Sequence, residues 1–210
     1  MNQETIKRLL SSLVIIPLAL FFTLKGSIYF NFFLIIILLI TTYEWNKMIK
    51  EKTYLLLGIF FLIFSFYSAY LLRSNNVNDA KIFIFVILIS VSTDIGGYIF
   101  GNLFKGPKLT KISPKKTYSG VLGSYFLSII FSIYYTDYYE LYYWSDTELF
   151  IIILLISTIS QLGDLIVSYF KRKSKIKNTG KILPGHGGLL DRIDGIVFAV
   201  PFAHILLKVI

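Results

Sequence analysis

Apolar residues fill this chain in long blocks, and short polar stretches separate the blocks. A helix that spans a bilayer needs about 20 mostly apolar residues. By that measure the pattern predicts seven spans, at roughly 9–24, 27–43, 54–72, 82–103, 119–135, 149–169 and 192–210. The first, second, fifth and seventh are short, and Lys25-Gly26 leaves a very tight connection between the first two. The opening MNQETIKRLLSSLVIIPLALFFTLKG joins a basic start to an apolar run, as a secretory signal does. It has no small-x-small cleavage site before Lys25, so an uncleaved first span is expected. No internal repeat, heptad or low-complexity segment stands out. The expected fold class is all-α: a polytopic helical bundle integral to a membrane, forming a single domain over residues 1–210.

Charge adds an orientation. Cytoplasmic loops of membrane proteins are rich in Lys and Arg. With the amino terminus inside, one side collects Lys7 and Arg8, then Lys47, Lys50 and Lys52, then five lysines between Lys105 and Lys116, then the run from Lys171 to Lys181. The other side holds Lys25, Arg73, Lys81 and Lys208, with an acidic loop around Asp137, Glu140, Asp146 and Glu148. The alternation supports an inside amino terminus and seven crossings, with the two longest basic loops in the cytosol.

Composition agrees. The 210 residues are 55% hydrophobic and only 16% charged, with a mean hydropathy of +0.69, where soluble domains carry about 25% charged residues. The absence of cysteine excludes disulfides, thiolate metal sites and cysteine nucleophiles. A net charge of +9 raises the question of nucleic acid. Because the basic residues lie in short loops between apolar runs, lipid headgroups or phosphorylated substrates are the expected partners, and no nucleic acid.

Three places carry candidate chemistry. Asp94 in ILISVSTDIGGYIFG and Asp164 in LLISTISQLGDLIVSYF lie inside or at the end of apolar runs. A carboxylate at mid-membrane costs about 2.5–3.5 kcal/mol on insertion scales, so each is expected to face a partner or a wet cavity. Glu44, beside Trp45, reads as an interfacial residue and His204 as a packing residue. In the second place, Ser113-Pro114-Lys115-Lys116-Thr117, a fixed backbone sits beside two ammonium groups and two hydroxyls that suit phosphate oxygens. The third is ILPGHGGLLDRIDGIVF, at the start of the last apolar run. Its glycines can turn successive amides toward an anion. Asp191 and Asp194, three apart, would share one helix face and with Asp164 offer oxygen ligands to a hard divalent cation. Helix-start electrostatics accounts for one of that pair without any metal. His186 fits a structural donor, a phosphate ligand or a proton carrier. Carboxylates, lysines and a glycine turn at a bilayer surface suit phosphoryl or nucleotidyl transfer to a lipid.

The run SYFKRKSKIKNTGKILPGHGGLLDRID resembles the signature of the phosphatidate cytidylyltransferases, also called CDP-diacylglycerol synthases. Ser168, Lys171, Arg172, Lys177, Pro184, His186, Gly187, Gly188, Asp191, Arg192 and Asp194 fall at matching spacing. QLGDL, with Gly163 and Asp164, and DIGGYIFGNLFKGPKLTKISPKKTYSG, with Asp94, Ser113, Lys115, Lys116, Thr117 and Gly120, are similar to that family as well. The likeness is strong from about residue 92 onward and thin before it, which divides the chain into a helical scaffold at 1–91 and a catalytic region at 92–210. One position departs: Lys177-Asn178 stands where the family has Lys-Asp.

The resemblance implies transfer of a cytidylyl group from CTP to phosphatidic acid in the bacterial inner membrane, with the active site facing the cytosol. It implies Asp164, Asp191, Asp194, Lys171, Arg172 and His186 in catalysis. It places Asp94, Ser113, Lys115, Lys116, Thr117, Lys177, Gly187, Gly188 and Arg192 on substrates. Asp164, Asp191 and Asp194 would hold Mg²⁺, with room for a second cation such as K⁺, and the partners would be CTP, phosphatidic acid and membrane lipids, with a homodimer as a further expectation. Two rivals remain. Another CTP-dependent lipid enzyme, such as a polyprenol kinase, would share the nucleotide machinery. A cation-coupled transporter would use Asp94 and Asp164 as carriers, but the chain lacks the repeat symmetry common in transporters.

Overall fold

The computed structural model describes residues 3–73, 76–183, 185 and 187–209 of the chain. Seven helices run in order: α1 (Gln3–Lys25), α2 (Ser27–Met48), α3 (Lys52–Arg73), α4 (Val77–Phe104), α5 (Tyr118–Tyr138), α6 (Asp146–Lys173) and α7 (Leu190–Val209). Among the described residues there is no strand, only isolated bridges at Lys108–Thr117 and Leu183–Gly187. Among the described residues five helices, α2 to α6, are long and apolar enough to cross a membrane, and α1 holds a shorter apolar stretch from Leu13 to Lys25.

All seven predicted segments are helical, and the short ones are longer than their apolar runs. α2 continues through Thr41, Glu44 and Trp45 to Met48. α4 and α6 each reach 28 residues, or about 42 Å at 1.5 Å per residue, beyond a hydrocarbon core of about 30 Å. Hydropathy reports where lipid contact stops. Backbone hydrogen bonding carries the helix onward, so polar ends stay helical.

The core lies along α4 and α6, where Phe85, Val86, Ile89, Ile152, Ile153 and Ile156 are fully buried. Outward positions such as Phe60, Leu122 and Tyr134 are exposed, as lipid-facing residues must be. α4 and α5 approach through small residues. A Cβ on Gly96 would lie 2.8 Å from the Gly123 carbonyl carbon and 2.9 Å from Ser124 Cα, so this crossing requires glycine there. α3 meets α7 at a different device. Pro201, inside α7, has no N–H for the carbonyl of Val197 four residues earlier. Ser65 Oγ of α3 donates to that carbonyl at 2.6 Å instead.

The turns gather at two ends. At one, Lys173 of α6 pairs with Glu51 in the α2–α3 turn at 3.0 Å, and the α4–α5 and α6–α7 loops lie at that same end. At the other, Arg73 Nε of α3 donates to the Thr23 carbonyl of α1 at 2.7 Å, and Lys81 Nζ to the Tyr139 carbonyl at 3.4 Å. The basic loops therefore share one end of the bundle and the acidic α5–α6 loop sits at the other, as the charge alternation requires.

Candidate active site

A cavity of about 280 Å³ opens at the basic end between α4, α5 and α6. Asp94, Ser113, Lys115, Lys116, Thr117 and Asp164 all line it, so three segments separate in sequence form one site. Polar hydrogen bonds fix its floor. Thr93 Oγ1 and Ser157 Oγ share a bond of 2.7 Å, and Ser124 Oγ donates to the Thr93 carbonyl at 2.7 Å. Asp94, on the next residue of α4, is solvent-exposed toward the cavity it lines.

Lys116 enters from the loop. Its Nζ lies 2.6 Å from Asp164 Oδ2 and 3.4 Å from the Gln161 carbonyl. Ser168, one turn on along α6, donates to Asp164 Oδ1 at 3.1 Å. The loop itself is anchored locally: the Lys116 N–H donates to the Ser113 carbonyl, and Thr117 Oγ1 accepts from the Gly120 N–H at 3.1 Å as the amino-terminal cap of α5. Thr117 therefore has a structural task in addition to lining the cavity.

The second half of the site is built on Lys171, which is 8% exposed. Its Nζ sits 2.9 Å from Asp191 Oδ1 and 3.6 Å from Asp194 Oδ2. Asp191 Oδ2 accepts from the Thr179 N–H at 2.8 Å and the Gly188 N–H at 3.1 Å, so both oxygens of Asp191 are engaged by the chain. Asp194, 6% exposed, takes the Gly195 N–H on Oδ1 at 3.0 Å. Asp94, Asp164 and Asp194 lie within electrostatic reach of one another, and Arg192 within reach of Asp94. The two halves are thus one field of charge.

The expected metal set is not assembled as a cage: among the described residues no three acidic or imidazole groups converge to hold an ion. Two of the three expected ligands have both oxygens engaged by the chain: Asp191 by Lys171, Thr179 and Gly188, and Asp164 by Lys116 and Ser168. Arg172 is exposed and donates to the Ile176 carbonyl at 3.4 Å, closing the end of α6. Lys177 is exposed as well. Gly187, at φ +93°, sits in a left-handed turn where Leu183 and Gly187 exchange backbone bonds of 2.9 and 3.1 Å. A Cβ on Gly187 would lie 3.2 Å from Asn178, so the residue that departs from the family pattern packs directly under the glycine turn. Gly188 is buried, and a Cβ there would run into Thr179 Oγ1. Pro184 and His186 lie outside the described residues.

Glu44 is where sequence reasoning missed. It is 1% exposed, not interfacial, and its carboxylate accepts from Thr179 Oγ1 at 2.9 Å, Leu189 N–H at 2.9 Å and Leu190 N–H at 2.8 Å. An acid next to Trp45 at the end of an apolar run is a common membrane-surface pattern, and nothing local reveals a partner some 145 residues away. Thr179 gave no signal either. His204 is partly buried on α7, on the apolar run that packs into the bundle.

Comparison with known proteins agrees with this geometry. The family model for the cytidylyltransferase family matches residues 51–210, which include every residue of the cavity and the Lys171 cluster. The chain is 36% identical to a phosphatidate cytidylyltransferase of Rickettsia bellii over 201 residues, covering 92% of this chain and 87% of the relative. It is 34% identical over 206 residues to one of Rickettsia typhi, covering 95% and 90%. To one of Staphylococcus epidermidis it is 36% identical over 186 residues, covering 88% and 69%. With its helices, its charged cavity and these matches in agreement, the chain belongs to the cytidylyltransferase family.

Proposed function

We propose that the protein transfers the cytidylyl group of CTP to phosphatidate, giving CDP-diacylglycerol and pyrophosphate at the cytosolic face of a bacterial inner membrane. The observation that carries this reading is the cavity in which Asp94, Asp164, Lys116 and Ser113 face one another at the basic end of a membrane helix bundle. Relatives named phosphatidate cytidylyltransferase support the choice of nucleotide and lipid. Seven crossings with the amino terminus in the cytosol fit the two-ended distribution of charge.

An anionic phosphatidate oxygen attacks the α-phosphorus of CTP, forming the new P–O bond as the bond to pyrophosphate breaks. The nucleophile already carries its charge, so the site needs no strong general base. Its work is to place two anions against each other and to neutralise charge on the leaving group. Lys116 and Lys171 are each paired with carboxylates in the free enzyme. Arriving phosphates would compete for those ammonium groups, and Lys115 and Arg192 add positive charge at the mouth.

That internal pairing is also the test for a metal. The carboxylates already offset the lysines, so the charge of CTP is left uncompensated. Asp94 and Asp194 keep oxygen donors in one electrostatic field, while Asp164 and Asp191, held by Lys116 and Ser168 and by Lys171, Thr179 and Gly188, would reach a metal only as arriving phosphates draw those lysines away. Mg²⁺ uses one or two carboxylates with substrate phosphates completing its shell, so this donor set fits it. When bound there it would supply charge neutralisation at the triphosphate.

The test gives purified protein phosphatidate, labelled CTP and Mg²⁺ in detergent or liposomes, with a chelator control. Labelled CDP-diacylglycerol that requires the metal, and is lost in a folded Asp164→Asn variant, is expected. Folded protein that makes no product from several phosphatidates, or an Asp164→Asn variant with full activity, overturns the reading.

A further inference from the structure

We infer that Glu44 is a positioning residue for the reaction: its buried carboxylate fixes Thr179, Leu189 and the first turn of α7, and through them the placement of Asp191, Lys171 and Asp194. The inference rests on the cytidylyl-transfer reading. It concerns a residue outside the 51–210 region that the family model matches.

The geometry is that of a clamp. Oε1 accepts from the Leu189 N–H, and Oε2 from the Leu190 N–H and the Thr179 hydroxyl, at 2.8–2.9 Å. All three partners are donors, the arrangement a carboxylate satisfies and an amide cannot. Leu189 and Leu190 open α7, whose first N–H groups have no partner within the helix. A negative charge is favourable there. Two glycines allow the approach. A Cβ on Gly180 would lie 2.5 Å from Glu44 Oε1, and one on Gly188 would lie 2.7 Å from Oε2.

The clamp connects directly to the site. Thr179 is held twice, by its hydroxyl on Glu44 and by its N–H on Asp191 Oδ2 at 2.8 Å. Asp191 follows Leu190 in the chain and holds Lys171, which reaches on to Asp194. A shift at Glu44 therefore moves both the backbone before Asp191 and the donor that fixes its second oxygen. The far end of the clamp is rigid: Trp45, 6% exposed, donates from Nε1 to the Tyr54 carbonyl at 3.3 Å and packs edge-on against Phe170 at 5.1 Å. Glu44 is thus a fixed post on α2 against which Thr179, Gly188 and the start of α7 are set.

The experiment measures kcat and both KM values for full-length wild type, Glu44→Gln, Thr179→Val and Thr179→Ser, each normalised to the monodisperse folded fraction in detergent. Wild-type turnover of CTP and phosphatidate comes first; without it the cytidylyl-transfer reading fails, which is a separate result. Given that turnover, Glu44→Gln is expected to lower kcat by about 10- to 100-fold, with KM for phosphatidate changed by less than about twofold. Thr179→Val should lower kcat by roughly 3- to 10-fold, and Thr179→Ser should restore it. A merely architectural Glu44 would lower the yield of folded protein and leave the kcat of the folded fraction unchanged; that result overturns the inference. If Glu44→Gln yields no folded protein, the Thr179 pair decides: equal kcat for Val and Ser overturns it, and rescue by Ser supports it.

Discussion

Replacing Lys171 by Met tests how the charged half of the site is held. The residue is 8% exposed and its ammonium faces two carboxylates, at 2.9 Å to Asp191 and 3.6 Å to Asp194. Met keeps most of the aliphatic stem and removes the charge, leaving both acids without a cation. Unit charges 4 Å apart interact by about 4 kcal/mol at an effective dielectric near 20. Removing one partner of a buried pair costs about 3–5 kcal/mol. Asp191 keeps the Thr179 and Gly188 N–H groups, so the lower end, about 3 kcal/mol, is expected here. For a chain of this size that corresponds to a melting temperature lower by about 6–12 °C. Adding Asp194→Asn removes one orphaned charge, so the double variant should be less destabilised than the sum of the singles, with a coupling of about 1–3 kcal/mol. Both variants should be inactive, since neither restores the cation. Thermal unfolding in one detergent, with the four proteins side by side, gives the cycle. Strict additivity, or a Lys171→Met protein as stable as wild type, would refute the claim that this lysine compensates buried charge.

Lys116→Met, at the half-buried pair with Asp164, should raise KM for CTP by about tenfold with a stability change below about 1 kcal/mol, read from initial rates and melting curves. Ser65→Ala deletes the donor to the carbonyl that Pro201 leaves without a helical partner, and should cost about 1–2 kcal/mol in thermal unfolding while kcat is unchanged. Gly96→Ala places a methyl against the α5 backbone at Gly123 and Ser124, so α4 and α5 must separate; a loss of about 1–3 kcal/mol and a raised KM for CTP are expected, because Lys116 lies just before α5. Ser145→Ala breaks the capping box at the start of α6, remote from the cavity, and should cost about 1 kcal/mol with no kinetic effect.

The helices were legible because bilayer span length is written into apolar run length, and the gathering of the basic loops at one end because loop charge alternates along the chain. Asp94 and Asp164 were legible for a related reason: a carboxylate within an apolar run has no inexpensive location except a polar cavity, and both line one. Asp191 drew notice in the sequence, but its bonding was not legible there. Its spacing from Asp194 on one helix face suggests a pair of equivalent ligands. Only the folded loop shows that Thr179 and Gly188 occupy one of its oxygens. Glu44 was illegible for the opposite reason. Its local pattern is that of a surface residue, and its three donors come from a loop folded back across the bundle. Ser65 and Pro201 belong to the same class, since a repaired helix carbonyl depends on which helices are neighbours.

Two of the acids at this end of the bundle therefore hold structure, and Asp94 and Asp164 line the cavity, for a reason rooted in chemistry. A loop that must let amides and lysines meet phosphates cannot also be packed with apolar side chains, so it lacks the burial that fixes other loops. Hydrogen bonds to ionised groups are among the stronger substitutes available. Glu44 and Asp191 supply six such bonds or ion contacts from outside the cavity, on the two sides of Thr179. Asp94 lines the cavity, and Asp194 takes the N–H of its own neighbour and the longer of the two Lys171 contacts, at 3.6 Å, so neither anchors the loop. Neutralising Asp191 should therefore disorder the loop as well as stop turnover, whereas neutralising Asp94 should stop turnover and leave the loop in place. Hydrogen exchange at the Thr179 and Gly188 amides distinguishes the two outcomes, and equal protection in both variants would contradict this division of labour.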